Sequence, residues 1–341
     1  MPLSEFGLIE RFFTRQKISH RSTALGIGDD CALLDIPDGY QLAVTADTMV
    51  ENVHFFAGTD PQALGHKLLA VNLSDLASMG AQPLSVTLAL TLPCVDELWL
   101  TQFALGFLDL AAQFDVDLIG GDTTSGALTL TVQAMGLVPR GQALLRSGAQ
   151  IGDEIYLSGN VGDAGLGLKI LQGYAYPHPD SALSRFHRPL PRVATGLAIR
   201  NIATACIDLS DGLAGDLGHI LKRSGTQFKA EPKDLSGLLN LKGLSLMVPP
   251  KNENQLGACL DWEALPLSDD VLAYVEETGD WLMPLVAGDD YELCFTVNPQ
   301  NTALLPMECH KIGVIEAAGG LRISKDGVIR SIKTKGYEHF S

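Results

Sequence analysis

Aspartate recurs beside glycine, serine or threonine in six short motifs of this 341-residue chain: G-I-G-D-D (26–30), V-T-A-D (44–47), N-L-S-D (72–75), G-G-D-T-T (120–124), I-D-L-S-D-G (207–212) and G-D-D-Y-E (288–292). Any one of these motifs is typical of a turn or a helix N-cap. Four of them follow or end an apolar run, and the strand ends of an open α/β sheet are where ligand crevices form. The set therefore indicates one common site.

Carboxylates that are brought together in such a site need a cation. Each pair within ~4 Å repels by about 1 to 4 kcal/mol at a surface-like dielectric. The motifs offer oxygens of Asp, Thr and Ser without a nearby His or Cys, which suits a hard ion, Mg²⁺ above Ca²⁺ or Mn²⁺. Their spacing does not match an EF-hand loop. We therefore expect Mg²⁺ bound through a few carboxylates and the phosphates of a nucleotide.

The glycine-rich segments do not form a known phosphate-binding loop. G-I-G-D-D-C-A begins like a dinucleotide-binding turn, but its two acids would oppose a bare pyrophosphate. G-D-A-G-L-G-L-K (162–169) differs from a P-loop in spacing and lacks the following Ser or Thr. Protein-kinase motifs and G-x-S-x-G are also absent from the sequence. The acids, rather than a glycine loop, are the candidates for chemistry.

The overall charge argues against polyanionic partners. The chain has 24 Lys and Arg against 40 Asp and Glu, a formal net charge of −16, which repels nucleic acid and anionic membranes. The uncharged run 76–95 is broken by glycine, proline and polar residues, so we expect no membrane span. The six cysteines show no metal or disulfide spacing, and the N-terminal residues lack the order of a signal peptide. We expect a cytoplasmic protein.

Helices and strands alternate along the chain, which predicts an α/β or α+β fold. We expect helices over 5–13, 61–79, 96–114, 162–171, 193–205, 213–223 and 268–277, and strands over 41–46, 84–92, 116–119, 128–138, 154–158, 207–209 and 291–297. A glycine-rich stretch at 140–152 predicts a domain boundary. The prolines and polar residues near 230–265 predict an irregular insertion that contains one or two strands.

Nine ordered motifs together resemble the thiamine-monophosphate kinase family, in the superfamily of aminoimidazole ribonucleotide synthetase and selenophosphate synthetase. Six of them contain the acidic motifs above, with V-T-A-D extended to T-A-D-T-M-V-E-N-V-H-F, and the other three are R-S-G-A-Q-I-G-D, S-G-N-V-G-D-A and the terminal K-G-Y-E-H-F. The resemblance implies an N-terminal ATP- and Mg²⁺-binding domain (1–148) whose strands build a β-barrel across a homodimer. It also implies a C-terminal α+β domain (149–341) containing the insertion near 230–265.

The same resemblance implies the reaction and its residues. The γ-phosphate of ATP would pass directly to thiamine monophosphate, assisted by several Mg²⁺ ions, with no protein nucleophile or base. The implied metal-binding residues are Asp30, Thr45, Ala46 through its carbonyl, Asp47, Asp75, Asp122, Asp208 and Asp211. The implied nucleotide-binding residues are Gly121, Asp122, Arg146 and Ser210. The implied contacts to thiamine monophosphate are His54, Asp289 and Tyr337.

Two departures from the family pattern keep other functions open. Asp289 stands in A-G-D-D-Y where the family commonly has G-G-E-D-Y, and the insertion near 230–265 is longer than the family needs. The alternatives are an ATP-dependent ligase or cyclase of the aminoimidazole ribonucleotide synthetase type and a non-catalytic paralogue that binds nucleotide or metal. The segment 47–54 lacks the D-G-V-G-T-K-like pattern of the ligase and favours the kinase. A selenophosphate synthetase would carry a reactive cysteine in a glycine-rich N-terminal arm, and no cysteine precedes Gly26.

Overall fold

The computed structural model describes residues 5–14, 20–225 and 256–333. Its helices are α1 Glu5–Phe12, α2 Pro61–Ser78, α3 Glu97–Gln113, α4 Asp163–Leu171, α5 Asp180–His187, α6 Val193–Ile199, α7 Leu213–Gly225, α8 Asp269–Thr278 and α9 Met283–Val286. Its strands are β1 Thr23–Leu25, β2 Leu33–Leu34, β3 Tyr40–Val50, β4 Gln82–Leu92, β5 Asp117–Ser125, β6 Thr129–Pro139, β7 Glu154–Leu157, β8 Ala203–Asp208, β9 Gly257–Asp261, β10 Leu293–Val297, β11 His310–Glu316, β12 Gly320–Lys325 and β13 Val328–Ile332.

The strands form two large sheets and one small two-stranded ladder. The first large sheet has the order β3-β6-β4-β5, and the second has the order β13-β12-β9-β11-β7-β10-β8. Only β4 with β5 and β9 with β12 pair in parallel among the strands that the structure describes. The alternating pattern therefore correctly predicts a mixed α/β fold. The division into domains 1–148 and 149–341 stays a prediction, since the largest apolar core includes residues of both large sheets.

The N-termini of two helices follow directly from their sequences. Asp60 precedes α2 and accepts a hydrogen bond from the N–H of Ala63 at 3.0 Å, with Pro61 at the first helical position. Asp96 caps α3 in the same way, accepting from the N–H groups of Leu98 and Trp99. Pro61 and the helical spacing of apolar residues predicted these two helices, and the Asp caps explain where they begin. Most residues of α2 are buried, so this helix lies in the interior.

Several sequence-based element boundaries are wrong. The helix predicted over 193–205 ends at Ile199, because residues from Ala203 onward pair with β10 as strand β8. The helix α5 was not predicted; it lies among prolines and buries only Ala182 and Phe186. By contrast, the insertion near 230–265 does contain a strand as predicted, the paired strand β9 over 257–261, while its residues up to 255 lie outside the described residues.

The expectation that the acids follow strand ends is also wrong for two of them. Asp47 lies inside the long strand β3 and Asp122 lies inside β5, whereas Asp75 lies inside α2, in agreement with the helix predicted over 61–79. The mainly antiparallel sheets lack the single carboxyl edge on which that argument depends. No helix among the described residues is both long enough and apolar enough to cross a membrane.

Candidate active site

Three carboxylates from three different elements define what we call the carboxylate group: Asp47 on β3, Asp75 on α2 and Asp208 at the end of β8. Each of them influences another electrostatically, and Asp208 responds to both of the others. Asp208 is buried, with 3% of its surface exposed, and the other two are half-buried. The group therefore joins the first large sheet, its covering helix and the second large sheet.

Burial and mutual repulsion make the charged forms of these acids unfavourable. Burial, followed by the charge of Asp75, raises the pKa of Asp47 to about 6. The same two causes raise the pKa of Asp208 to about 7. Burial also raises the pKa of Asp75, although a hydrogen bond from Thr45 and the positive charge of Arg146 act in the opposite direction. A bound cation would relieve this repulsion.

Hydrogen bonds from neighbouring residues hold the carboxylate group in place. The hydroxyl of Thr45 donates to Asp75, and Ser74 Oγ donates to Asp208 Oδ2 at 2.8 Å. Asn72 Oδ1 accepts from the backbone N–H of Asp47 at 3.2 Å. One segment of α2, the N-L-S-D motif, therefore supplies Asp75 to the carboxylate group, Ser74 as a donor to Asp208 and Asn72 as an acceptor for the backbone of Asp47. Neither Asn72 nor Ser74 was identified by the sequence analysis, although both lie within that motif.

Further acids and one cation border the carboxylate group. Asp211 lies three residues after Asp208, and its backbone N–H donates to Asp216 Oδ2 at 3.0 Å. Burial and the charge of Asp208 raise the pKa of Asp216 to about 8. The exposed Arg146 acts electrostatically on Asp75, Asp208 and Asp216. Sequence analysis missed Asp216, whose position near the start of α7 is equally typical of an ordinary first-turn acid.

The structure places Asp30, Gly121 and Asp122 together in a different location. They line a cavity of about 630 Å³ between α1, the loop 27–32 and strands β4 and β5, which we call the Asp30 cavity. In the first large sheet, Asp47 and Gly121 lie in one row at opposite edges. Three strand spacings, about 14 Å, therefore separate their backbones. Asp30 and Asp122 thus do not belong to the carboxylate group within one chain.

Gly121 shows why this part of the site needs glycine. Its φ is +155°, and a Cβ at this position would lie 1.8 Å from the carbonyl oxygen of Leu88. No side chain fits there without movement of β4. Glycine therefore allows β5 to lie close against β4 next to Asp122, and Gly121 also lines the Asp30 cavity. Close approach of a ligand to backbone N–H groups is a common use of such a glycine.

The structure places the other residues that the sequence predicted for the site as follows. His54 Nδ1 accepts from the N–H of Val50 at 3.0 Å, within the turn that follows β3. Ala46 lies on β3 beside Asp47, with its side chain exposed. The carbonyl of Ser210 accepts from the backbone N–H of Asp289 at 3.0 Å. Tyr337 lies outside the described residues.

Asp289 has both carboxylate oxygens occupied. Its Oδ2 accepts from Lys67 Nζ at 3.0 Å, and its Oδ1 accepts from the hydroxyl of Tyr291 at 2.9 Å. Sequence analysis missed Lys67, because a lysine inside an otherwise apolar helix carries no motif. Its partner is 222 positions away in the chain, so only the fold brings the two together.

The donor chemistry of the carboxylate group fits a hard divalent cation. Its side-chain donors are oxygens, and burial with mutual repulsion favours a compensating positive charge. Among the described residues, no three His, Cys, Asp or Glu side chains form a ready-made metal site. Mg²⁺ commonly binds proteins through one or two carboxylates, with waters and substrate phosphates completing its shell.

The fold and this all-oxygen site define a protein of the AIR synthase-related class. The family model described as "AIR synthase related protein, N-terminal domain" matches residues 28–138, which include Asp30, the first two members of the carboxylate group and Asp122. The matched segment ends with the last strand of the first large sheet.

Full-length relatives specify the family. The thiamine-monophosphate kinase of Salmonella typhimurium is 42% identical over 353 aligned residues, covering 100% of this chain and 99% of the relative. The crystal structure of thiamine-monophosphate kinase from Stenotrophomonas maltophilia K279a is similar with a TM-score of 0.78 and 40% identity, covering 96% of this chain and 98% of that one. A structure of AaThiL complexed with AMPPCP and TMP has a TM-score of 0.73 and 26% identity, covering 99% and 97%. The chain belongs to the thiamine-monophosphate kinase family.

Proposed function

We propose that this chain transfers the γ-phosphate of ATP to thiamine monophosphate, forming thiamine diphosphate and ADP. The observation that carries the proposal is the buried carboxylate group, built from both large sheets in a chain that aligns with thiamine-monophosphate kinases over its whole length. The complex of AaThiL with AMPPCP and TMP supports ATP and thiamine monophosphate as the two substrates. The acceptor phosphate is already anionic, so the reaction needs positioning and charge neutralisation more than a strong base.

Two sets of residues would hold Mg²⁺. The first is the carboxylate group together with Thr45, Asp211 and the backbone carbonyl of Ala46. The second, at the Asp30 cavity, is Asp30 and Asp122. When bound, Mg²⁺ would neutralise these carboxylates and the phosphate oxygens between which the phosphoryl group passes. Thr45, Asn72 and Ser74 keep the acids and β3 in position through the hydrogen bonds described above. These bonds fix the orientation of the carboxylates before a substrate arrives.

Two further regions would bind the substrates. We assign the nucleotide to the Asp30 cavity with Gly121 and Asp122, and we assign Arg146 and Ser210 as its contacts near the carboxylate group. Arg146 suits phosphate because a guanidinium can bind two phosphate oxygens at once. We assign thiamine monophosphate to His54, Asp289 and Tyr337. These assignments rest on the family pattern, on the cavity and on the charges around it.

We further propose that the chain acts as a homodimer with two domains per subunit. The edge strand β3 is 11 residues long and has no strand on its outer side among the described residues. Its side chains Tyr40, Leu42 and Val44 are 40%, 38% and 53% exposed. A long apolar edge of this kind favours pairing with another strand, which supports a β-barrel across two copies. All six cysteines are free, which supports a reducing, cytoplasmic setting.

The proposal is tested by incubating the purified protein with ATP, Mg²⁺ and thiamine monophosphate and measuring thiamine diphosphate and ADP. We expect equal amounts of both products. Asp47→Asn should lower kcat about a hundredfold or more, because it removes one charge from the carboxylate group. Asp109→Asn is the matched control, since Asp109 is exposed on α3 and belongs to neither site.

The same assay separates the alternatives. ATP binding without any product would contradict the kinase and favour a non-catalytic paralogue. Consumption of ATP without phosphorylation of thiamine monophosphate would favour a ligase or cyclase. The curated relatives reported above favour the kinase.

A further inference from the structure

The G-D-D-Y-E segment carries three acids, and two of them are buried and paired with other parts of the chain. Asp290 is 3% exposed and accepts from two backbone N–H groups at the start of α4, at 2.8 and 3.3 Å. Glu292 is fully buried and forms ion pairs with Arg185 and Arg192 at 2.7 and 2.5 Å. Asp289, with a side chain 31% exposed, is the acid of this segment that a ligand can reach.

The backbone of Asp289 has an unusual conformation that places its side chain. Its φ is +68° and that of Tyr291 is +50°, both in the region that L-residues rarely adopt. Backbone hydrogen bonds from Asp289 to Ser210 and from Tyr291 to Leu209 fix the segment on the end of β8. Gly288 allows this contact, since a Cβ there would lie 2.2 Å from the carbonyl oxygen of Ser210. The Asp289 side chain is therefore presented from a rigid support.

Lys67 and Tyr291 then determine the orientation of the carboxylate itself. The Lys67 side chain is only 5% exposed, and its Nζ lies 3.8 Å from the centroid of the Phe186 ring. A buried ammonium is unfavourable without a compensating charge, and Asp289 is the carboxylate that pairs with it in the described part of the chain. With Tyr291 donating to the other oxygen, both oxygens of Asp289 are held at about 3 Å. We call these three residues the Lys67 triad.

The Lys67 triad lies on the acceptor side of the proposed site. None of its three members is among the residues that line the Asp30 cavity. Tyr291 is within electrostatic range of Asp47 and Asp208, so the triad borders the carboxylate group. Two substrates must meet at that group, and the Asp30 cavity is assigned to the nucleotide. The triad is therefore placed to contact the other substrate.

We propose that Lys67 and Tyr291 are positioning residues that fix the Asp289 carboxylate for thiamine monophosphate and thereby set the affinity for this substrate but not for ATP. The inference rests on the proposed function. Thiamine carries a cationic thiazolium ring and an amino group on its pyrimidine, and a carboxylate of fixed orientation can face either one. Aspartate reaches less far than glutamate, so its orientation must be set by its neighbours.

Steady-state kinetics of Lys67→Met test the proposal, because methionine keeps the length of the side chain and its contact with Phe186. We expect the KM for thiamine monophosphate to rise about ten- to hundredfold, while the KM for ATP stays within about twofold. Lys311→Met is the matched control, because Lys311 is exposed on β11 and pairs with Glu154. An unchanged KM for thiamine monophosphate, or an equal rise for both substrates, would overturn the proposal.

A double-mutant cycle shows whether Lys67 acts through Asp289. We expect Lys67→Met to change the KM for thiamine monophosphate little once Asp289→Asn is present. Additive effects would mean that Lys67 contacts the substrate directly, contrary to the positioning role. If Lys67→Met does not fold, as judged by circular dichroism, Tyr291→Phe decides: a rise of about threefold or more supports the proposal, and no change contradicts it.

Calorimetric binding separates this inference from the proposed function. If the native chain forms no thiamine diphosphate, the proposed function fails, and binding of thiamine monophosphate to the native chain and to Lys67→Met decides the inference. Weaker binding to the variant, with equal binding of AMPPCP to both, supports it. Equal binding, or no binding to the native chain, overturns it.

Discussion

The surroundings of Asp208 are those of an acid in a binding site for a cation. It is 3% exposed, accepts from Ser74 and lies within electrostatic range of two other carboxylates. An acid in such surroundings is less stable in its charged form than in the unfolded chain. The arrangement is unfavourable for stability alone, and under the proposed function a bound cation would compensate for it.

The pH dependence of stability follows from the pKa of Asp208. Because this pKa is about 7 in the folded chain and 3.8 for the ordinary side chain, the folded state binds the proton more tightly. Its contribution to stability is present below about pH 4 and is lost as the pH rises towards 7. In EDTA, Asp208→Asn should therefore melt at a higher temperature than the native chain at pH 8, by roughly 1 to 3 °C.

Thermal unfolding from pH 4 to 8 checks this expectation. The difference in melting temperature between Asp208→Asn and the native chain should grow with pH and then become constant above about pH 8. Asp109→Asn should show no such growth, since Asp109 is exposed. A difference that is independent of pH would contradict the raised pKa. Mg²⁺ should stabilise the native chain more than Asp208→Asn.

Sequence reasoning identified the acids of the site but not the residues that hold them. Asp47, Asp75 and Asp208 stand in motifs rich in Gly, Ser and Thr, and the fold brings these three together. Lys67 has no such signal, because its buried ion pair with Asp289 depends on the packing of distant elements. Asp216 stands beside glycine, but its place near the start of α7 is equally typical of a first-turn acid. Sequence reasoning placed Asp30 and Asp122 in the same site as these three acids because all of them are aspartates beside Gly, Ser or Thr. In the structure the width of a four-stranded sheet separates the Asp30 cavity from the carboxylate group.

At the scale of the elements, the crossing of α2 and α3 affects the position of the site most directly. A Cβ on Gly106 of α3 would lie 1.9 Å from the carbonyl oxygen of Gln62, and one on Gly65 of α2 would lie 2.2 Å from that of Phe103. The two helices thus approach each other through glycine on both sides. Since α2 carries Lys67 and Asp75, the position of this crossing also sets the position of the site.

Gly106→Ala tests the importance of this crossing. The added methyl group must push α2 and α3 apart, so we expect the free energy of unfolding to fall by about 1 to 3 kcal/mol. We also expect lower kcat in the folded variant, although Gly106 belongs to neither substrate region. Urea unfolding and the product assay measure the two effects. Thr101→Ala, at an exposed position of α3, is the control, and native stability in Gly106→Ala would contradict the close packing.

Element types were predictable where periodicity and capping agree. The spans of α2, α3, β4 and β6 follow from Asp and Pro at helix starts and from alternating apolar residues in the strands. The wrong boundary near 199–205 has a physical cause: the apolar residues of A-T-A-C continue a helical pattern, yet they pair with β10. Whether such a segment forms a helix or a strand depends on its pairing with a distant strand, and the local sequence pattern carries no information about that pairing.

At the scale of the whole molecule, the exposed edge of β3 indicates how two copies would meet. The proposed dimer would cover the apolar side chains of this strand and pair its free backbone groups. Strand order is the part of the fold that sequence reasoning did not supply. The crossover that places β9 beside β12 in parallel depends on pairing over about 60 residues.

Leu42→Asp tests the dimer, because a charge on the exposed edge opposes its burial against a second copy. We expect the native chain to have the mass of a dimer in light scattering and Leu42→Asp to have the mass of a monomer at the same concentration. Met307→Asp is the control, as Met307 is fully exposed elsewhere on the surface. A monomeric native chain, or a dimeric Leu42→Asp, would contradict the use of β3.

The helix α2 sets the distance between the Lys67 triad and the carboxylate group. Lys67 and Asp75 are eight residues apart on it, which corresponds to about 12 Å along the helix axis. Substitutions elsewhere on the helix can leave this separation unchanged. The insertion or deletion of a single residue between them cannot, because it would turn one residue by about 100° relative to the other. We therefore expect the site to tolerate insertions and deletions in the loops outside α2 better than between Lys67 and Asp75.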